Sequence, residues 1–195
     1  MQDLSVPLPA LALSFADDPF YRAITTGFNA RDDKLRVLER YFAYSLAEAQ
    51  RTGYCVFSEN AALGVAAWLL PRAPDIEAAE SDAKHAFLQR LLGGLGYANY
   101  ECILDFMSSR AQGCVDEGAW YLSIVGVHPA AQGTGLGRQL LLPTLRLATE
   151  QRAPCYLETF SPRSVAFYSR LGFQSVAEFR EPITGAAYLV MRRVV

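Results

Sequence analysis

Apolar residues recur at helical spacing in the first part of the chain, and short β-branched runs appear between these segments. In residues 19–51 the apolar positions fall three and four residues apart, which predicts two helices. Residues 54–70 contain two short apolar runs that meet at Asn60, which predicts an antiparallel hairpin. Residues 76–112 are rich in Ala, Leu, Glu and Gln, and a glycine-rich break over 93–96 divides them into two further predicted helices.

The second half of the chain alternates between strand and helix patterns. Residues 119–127 contain the apolar run WYLSIVGV and stop before Pro129, so we predict a buried central strand. The remaining predicted elements are a glycine loop, a helix over 137–151, a strand over 155–160, a helix over 162–171 and strands near 173–180 and 187–193. These elements predict an α/β or mixed α+β fold in a single domain, 1–195.

Composition and charge exclude several classes of protein. Of the 195 residues, 51% are hydrophobic and 19% are charged, which is typical of a globular chain. The net charge is −2, and lysine or arginine runs are limited to Arg192 and Arg193, so we expect no nucleic-acid partner. No apolar stretch approaches the roughly 20 residues of a membrane span, and no basic segment opens a signal peptide. We therefore expect a cytoplasmic protein with no membrane association.

Four cysteines lie far apart, without a C-x-x-C pair. This spacing fits neither a zinc site nor a disulfide framework, so we expect free thiols and no metal.

A strand pattern leads directly into a glycine loop and a helix in residues 125–141, VGVHPAAQGTGLGRQLL. Gly133, Gly135 and Gly137 lack Cβ atoms, so a ligand can approach the backbone closely there. A helix that begins at the loop directs its unpaired N–H groups and its positive dipole end outward. This order of elements predicts a pyrophosphate site.

Two other nucleotide-binding loops fit these residues less well. A P-loop requires a lysine followed by a hydroxyl residue, and residues 133–138 contain no such pair. A dinucleotide-binding loop requires G-x-G-x-x-G in the first βαβ unit, whereas the spacing here is G-x-G-x-G and the loop lies late in the chain. A tight turn that binds nothing is the remaining alternative.

The loop resembles the coenzyme A loop of the GNAT acetyltransferases, whose pattern Q/R-x-x-G-x-G/A follows a strand ending in V-x-P. Three residues match that pattern: Gln132, Gly135 and Gly137. The resemblance implies a twisted, mixed and mostly antiparallel sheet flanked by helices, with acetyl-CoA as co-substrate. It also implies that the pyrophosphate is bound by the amides of Gln132, Gly133, Thr134, Gly135, Leu136, Gly137 and Arg138.

In the same family the backbone of the preceding strand pairs with the pantetheine arm, which here points to Val125 and Val127. That strand usually carries a β-bulge that separates it from its neighbour. Gly126 would fit such a bulge.

A second segment, LETFSPRSVAFYSRLGF over 157–173, resembles the later family motif that ends in F-Y-x-x-x-G-F. Tyr168 falls at the position of the family's general acid, and a phenol near the sulfur can protonate the departing thiolate. Ser161 stands where many members have an asparagine, which implies a contact to the cofactor. Taken alone, Tyr168 fits the core of an amphipathic helix equally well.

The general base is harder to identify from the sequence. Acetyl transfer requires a group that takes the proton of the attacking amine, and the predicted central strand contains no carboxylate. Glu158, at the end of the next strand, is our candidate, and Glu117 is a weaker one. A capping or ion-pairing role is the alternative for Glu158. We expect direct transfer, without an acyl-enzyme at Cys155.

Within the GNAT family the chain is most similar to puromycin N-acetyltransferase and its relatives, through GVHPAAQGTGLG, LLLPTL and PCYLETFSPRSVAFYSRLGF. This likeness covers 119–193, so we expect 119–195 to bind acetyl-CoA and 1–118 to bind the acceptor. The predicted function is acetylation of a primary amine on a small molecule, antibiotics included. A protein or peptide N-acetyltransferase and a non-catalytic acyl-CoA sensor are the alternatives, and a homodimer is left open.

The acceptor half is rich in aromatic residues, which would line a pocket for an amine with an apolar body, although an ordinary core explains them better. Its acidic residues would attract a cationic acceptor, although most such charges are simply solvated. They are Asp17, Asp18, Asp32, Asp33 and Asp105.

Overall fold

A six-stranded sheet forms the centre of the structure, a computed structural model that describes residues 3–194. Its strands, in chain order, are β1 (Gly53–Phe57), β2 (Gly64–Leu69), β3 (Trp120–Val127), β4 (Cys155–Thr159), β5 (Gln174–Arg180) and β6 (Ala187–Arg193). They lie in the order β1-β2-β3-β4-β6-β5. The β3–β4 pair is parallel and the other four pairs are antiparallel. The predicted mixed, mostly antiparallel sheet is confirmed.

Six α-helices of the described chain flank this sheet. They are α1 (Leu8–Phe15), α2 (Pro19–Ile24), α3 (Arg31–Thr52), α4 (Pro74–Ala111), α5 (Leu136–Glu150) and α6 (Val165–Ser169). The predicted break in 76–112 is confirmed at Gly93, whose φ of 69° and ψ of 179° interrupt α4. The predicted helix over 162–171 is shorter, because a 3-10 turn precedes α6. None of the helices in residues 3–194 is both long and apolar enough to span a membrane.

The sheet separates two hydrophobic cores. Side chains of successive strand residues point to opposite faces, so Val65 and Ala67 of β2 join the core under α1 to α4. Ala66 and Trp68 join the other core, against α5 and α6. All four of these side chains are fully buried, so β2 contributes to the interior of both cores.

A β-bulge in β3 changes which face its side chains occupy. Ala67 lies opposite Ile124 and Trp68 lies opposite Leu122, so Ser123 is an extra residue on β3. As a result Leu122 packs in the core near α5, whereas Ile124, two residues later, packs in the core near α1.

The expectation that Gly126 forms the bulge is therefore wrong. Gly126 pairs regularly with Val65. Its missing Cβ instead allows α1 to lie against the strand, because a Cβ there would come within 2.3 Å of Leu11 Cδ2 and 3.2 Å of a Phe15 ring carbon.

The parallel pairing between β3 and β4 is short. It joins Trp120, Tyr121 and Leu122 to residues 155–157 and ends where the bulge begins. Beyond that point the two strands share no ladder pairs, so a gap opens between the end of β3 and the end of β4.

The second half of α4 packs closely on α2 at a glycine. A Cβ added to Gly96 would lie 2.3 Å from the carbonyl oxygen of Ile24, whereas a Cβ on Gly94 would meet no atom within 4 Å. Gly96 therefore sets the distance between these two helices.

We expect Gly96→Ala to lower the free energy of unfolding by about 1 to 3 kcal/mol, because the clashing atom is backbone and the helices must separate. Gly94→Ala is the matched control in the same helix and should be neutral or stabilising by about 0.5 to 1 kcal/mol. Urea denaturation of both variants measures the difference. Equal free energies of unfolding in the two variants would show that the close packing of α4 on α2 does not contribute to stability.

Candidate functional site

The gap between β3 and β4 continues into a groove of about 1050 Å³. The groove is bordered by the end of β3, the glycine loop, the start of α5 and the segment from Thr159 to α6. The N–H of His128, the residue after β3, donates to the carbonyl of Leu63 at 2.8 Å. Because hydrogen-bonded pairs alternate in an antiparallel ladder, the backbone groups of Val125 and Val127 face away from β2 and into the gap.

The carbonyl of Val127 is already hydrogen-bonded. It accepts from Gln132 Nε2 at 3.1 Å and from the Ser14 hydroxyl at 2.5 Å, whose one proton is shared with the carbonyl of Ala10 at 2.7 Å. These two bonds use both lone pairs of the oxygen. The side chain of Gln132 therefore ties the glycine loop to the end of β3, and Ser14 ties α1 to the same point.

The glycine loop has a backbone that favours glycine at two positions. Gly133 has φ of 78° and Gly135 has φ of 89°, both in the left-handed region. Gly135 is the N-cap of α5, and no side chain caps this helix and no acidic residue lies in its first turn. The first N–H groups of α5 therefore border the groove without a side-chain partner. The Thr134 hydroxyl turns back to the carbonyl of Ala131, at 2.8 Å.

Gly137 also allows close packing at the start of α5, besides bordering the groove. A Cβ there would lie 3.3 Å from Phe167 Cζ, so the glycine lets α6 pack on the first turn of α5. Leu136 packs against the core near α5, and Arg138 is exposed. Arg163 and Arg170 also border the groove, although sequence reasoning did not identify them.

Tyr168 lies where this groove meets a second cavity. Its ring packs edge-on against Phe167 at 5.0 Å and Phe173 at 6.1 Å, measured between ring centroids. The hydroxyl makes no hydrogen bond to any residue between 3 and 194. Burial, and to a lesser degree the negative charge of Asp18, raise the pKa of Tyr168 well above its usual value. Ser161 borders the groove nearby, where its Oγ accepts from Ser164 Oγ at 3.2 Å.

The second cavity has a volume of about 340 Å³ and lies on the side of the sheet that α1 to α4 cover. Six residues border both the cavity and the groove: Phe15, Asp18, Val125, Thr159, Phe160 and Tyr168. Although the sequence favoured an ordinary core for the aromatic residues of the first half, aromatic residues form much of the cavity wall: Phe20, Tyr21, Tyr41, Tyr100 and Tyr121. The groove and the aromatic cavity therefore meet at these six shared residues.

Asp18 is a site residue whose importance the sequence did not show. It is the N-cap of α2, and its Oδ1 accepts from the N–H of Phe20 at 2.9 Å. Burial raises the pKa of Asp18 to about 6, although backbone N–H groups partly oppose the shift. The Asp-Pro pair at 18 and 19 is a recognisable helix start, but nothing in the local pattern shows that the carboxylate faces a cavity.

Glu158 also lies on the cavity wall, at the end of β4. Its Oε1 accepts a hydrogen bond from the Tyr188 hydroxyl, and Tyr121 supplies a further phenol donor. Burial raises the pKa of Glu158, and these two phenols act in the opposite direction. The ion-pairing alternative is wrong, because its partners are phenols. Glu117 is exposed and borders neither space.

Cys155 is fully buried and borders neither the groove nor the cavity. Burial raises the pKa of its thiol to about 11, so the sulfur carries its proton at neutral pH. A protonated thiol is a poor nucleophile.

Comparison with known proteins places the chain among acetyltransferases. A model of the acetyltransferase (GNAT) family matches residues 19–173. A stretch of 65 residues is 38% identical to mycothiol acetyltransferase from Kineococcus radiotolerans, and it covers 32% of this chain. The match spans only 22% of that relative's length.

Several solved structures share the fold over nearly the whole chain. A Corynebacterium glutamicum protein, histone acetyltransferase HPA2 and related acetyltransferase, has a TM-score of 0.68 and 24% identity, covering 96% of this chain and 88% of its own. Arylalkylamine N-acetyltransferase 2 from Aedes aegypti has a TM-score of 0.64 at 18% identity, covering 96% and 92%. Drosophila melanogaster polyamine N-acetyltransferase has a TM-score of 0.63 at 16% identity, covering 98% and 95%. At these identities the likeness shows the fold.

Proposed function

Because the chain belongs to the GNAT acetyltransferase family, we propose that it moves an acetyl group from acetyl-CoA directly to a primary amine of a small molecule. One observation carries the proposal: a groove with an uncapped helix N-terminus and an aromatic cavity with carboxylates meet at Tyr168 and Asp18. A transferase with two substrates requires two such spaces and one meeting point.

The groove has the features that a coenzyme A molecule requires. The amides of residues 132–138 and the dipole of α5 would bind the pyrophosphate, and Arg138, Arg163 and Arg170 add positive charge. The backbone of Val125 faces the gap, where the pantetheine arm would pair with β3. Because Ser14 and Gln132 already use the carbonyl of Val127, we assign more of this pairing to Val125. Ser161 would contact the cofactor from the opposite wall.

Acetyl-CoA supplies an activated thioester carbonyl, and residues at the meeting point would handle the protons. The acceptor nitrogen forms the new carbon–nitrogen bond while the carbon–sulfur bond breaks. Tyr168 then gives its phenolic proton to the leaving thiolate. The phenol is protonated at neutral pH and so has a proton to give, while its raised pKa makes it a weaker acid than an exposed tyrosine.

Two carboxylates are placed to take the proton that the amine loses. Glu158 lies on the cavity wall only, whereas Asp18 borders both the cavity and the groove. Asp18 also has a pKa of about 6, so it is ionised at neutral pH and can accept a proton. We retain Glu158 as a candidate base and assign the direct contact with the amine to Asp18.

The cavity wall indicates the kind of acceptor. The aromatic wall suits an amine with an apolar body, and two proteins of the same fold are named for arylalkylamine and polyamine acetylation. The resemblance of residues 119–193 to puromycin N-acetyltransferases adds amine-bearing antibiotics to the compounds worth screening. A cavity of about 340 Å³ has the size of a small-molecule site, which favours a small acceptor over a protein substrate.

Calorimetric titration with acetyl-CoA tests the cofactor groove. We expect micromolar binding by the wild type and loss of binding in Gly135→Asp, because the new carboxylate strains a left-handed position and repels the pyrophosphate. Gly185→Asp is the matched control, since Gly185 also has positive φ, at 65°, with open space around it, in the turn between β5 and β6. If the wild type fails to bind acetyl-CoA, the transferase proposal is wrong.

Replacing Tyr168 by Phe tests the general acid. We expect kcat to fall by about 100-fold or more, because the thiolate loses its proton donor. The affinity for acetyl-CoA should stay unchanged, since the ring still packs on Phe167 and Phe173. Tyr44→Phe, away from both spaces, is the control. Wild-type turnover by Tyr168→Phe would remove the acid role, and acetyl-CoA binding without turnover of any amine by the wild type would favour a sensor.

The pH dependence of kcat/KM separates the two candidate bases. A base must be ionised to act, so kcat/KM should rise as the pH increases through about 6, the pKa of Asp18, in addition to the ionisation of the amine itself. Asp18→Asn should lower the rate and remove this acidic limb. Asp105→Asn, which changes an exposed carboxylate elsewhere, should retain it. If Glu158→Gln removes the limb and Asp18→Asn keeps it, Glu158 is the base.

A further inference from the structure

The cavity has a positively charged wall at the end away from Tyr168. We call Arg72, Glu48 and Lys84 the basic wall. Lys84 Nζ lies 2.8 Å from Glu48 Oε2, and Arg72 Nη1 lies 3.7 Å from Glu48 Oε1. The three side chains are only 15%, 6% and 18% exposed, in the order Arg72, Glu48 and Lys84. Two cations therefore share one anion in a poorly solvated place.

The guanidinium of Arg72 lacks hydrogen-bond partners. Its Nη1 is buried without one, and Arg72 donates to no residue of the described chain. A charged donor that stays unpaired in a poorly solvated place is costly, whereas a carboxylate can accept two parallel bonds from a guanidinium. Glu77 also borders the cavity, but it is exposed, so solvent screens its charge. Glu80 is also near both cations, but it pairs with Arg51 at 2.7 Å. The three residues of the basic wall carry two positive charges and one negative charge, and Arg72 keeps unpaired donors.

The strand register gives the separation of two residues on the cavity wall, Tyr121 and Val125. Arg72 follows the end of β2, where Leu69 lies opposite Tyr121. Val125, at the meeting point with Tyr168, comes four residues further along β3. Four residues of extended strand span about 13 Å, and the bulge shortens this somewhat. An amine near Tyr168 and an anion at the basic wall would thus lie on the order of 10 Å apart.

We propose that the acceptor carries a carboxylate, bound by Arg72 and Lys84, at the far end of an apolar chain from its reactive amine. This inference rests on the proposed acetyl transfer and adds the substrate class. An α-amino acid, with both groups on one carbon, is too short to reach both ends. Tyr41 and Tyr100 line the cavity and would contact the apolar chain.

Three probes with the same number of carbons test the distance directly. 8-Aminooctanoate places the carboxylate far from the amine, 2-aminooctanoate places it on the same carbon, and octylamine lacks it. With acetyl-CoA as donor, we expect kcat/KM for 8-aminooctanoate to exceed that for each of the other two by about tenfold or more, the worth of a charged hydrogen bond.

Variants of the basic wall complete the test. Arg72→Gln should reduce kcat/KM for 8-aminooctanoate to the octylamine level and leave octylamine turnover unchanged. Arg72→Lys, which keeps the charge and is milder for folding, should retain part of the preference. Arg51→Gln is the matched control. Arg51 pairs with Glu80 and joins α3 to α4, as the Glu48–Lys84 pair does, but Arg51 borders neither the cavity nor the groove.

The outcomes distinguish this inference from the proposed function. Equal turnover of octylamine and 8-aminooctanoate by the wild type would overturn the carboxylate inference and leave acetyl transfer intact. Binding of acetyl-CoA without turnover of 8-aminooctanoate would also overturn it. Failure to bind acetyl-CoA at all would overturn the proposed function instead.

Discussion

Parallel strands held together by backbone hydrogen bonds lie about 4.8 Å apart and leave no room for a ligand between them. In this protein the extra residue at Ser123 ends the pairing of β3 with β4 after only three residue pairs. Everything at the site follows from that break. The gap exposes the backbone of Val125 and lies where the groove beside the glycine loop meets the aromatic cavity.

The same bulge explains how one strand serves both sides of the sheet. Before it, Leu122 faces the core near α5; after it, Val125 and Val127 face that side and Ile124 faces the other. The bulge also turns the Cα of Gly126 toward α1. Because Gly126 has no Cβ, Leu11 of α1 can lie close to β3. Helix α1 is in turn tied to the strand end by Ser14. Local backbone irregularity thus positions the helix that covers the site.

Buried carboxylates on the cavity wall reduce stability, and their partners limit the cost. Asp18 receives backbone N–H groups at the start of α2, and Glu158 receives two phenols. In both cases burial still outweighs the hydrogen bonds, because the pKa of each group lies above its ordinary value. Such incomplete compensation is typical of groups that must exchange protons, whereas purely structural carboxylates are usually paired with cations.

The sequence predicted the parts of the fold that local pattern determines, and it failed where tertiary contacts decide. The hairpin, the break at Gly93, the loop into α5 and the succession of strands and helices along the second half follow from spacing and glycine content. Helix α1 was missed because LPALALSF is apolar on every side and shows no helical period. The bulge was misplaced because WYLSIVGV is apolar almost throughout, so a shift of one residue leaves no visible trace.

The two halves of the site differ in how their residues are brought together. The loop of 132–138 and Tyr168 lie in two short segments, so a motif can identify them without a structure. The cavity residues come from separate parts of the chain: Asp18 caps α2, Glu48 lies in α3, Arg72 follows β2 and Lys84 lies in α4. Only packing makes them neighbours. If the acceptor is the long amine proposed above, the choice of acceptor would depend on how α2, α3 and α4 pack over the sheet. A change at their contacts would then alter the acceptor while the groove beside the glycine loop stays intact.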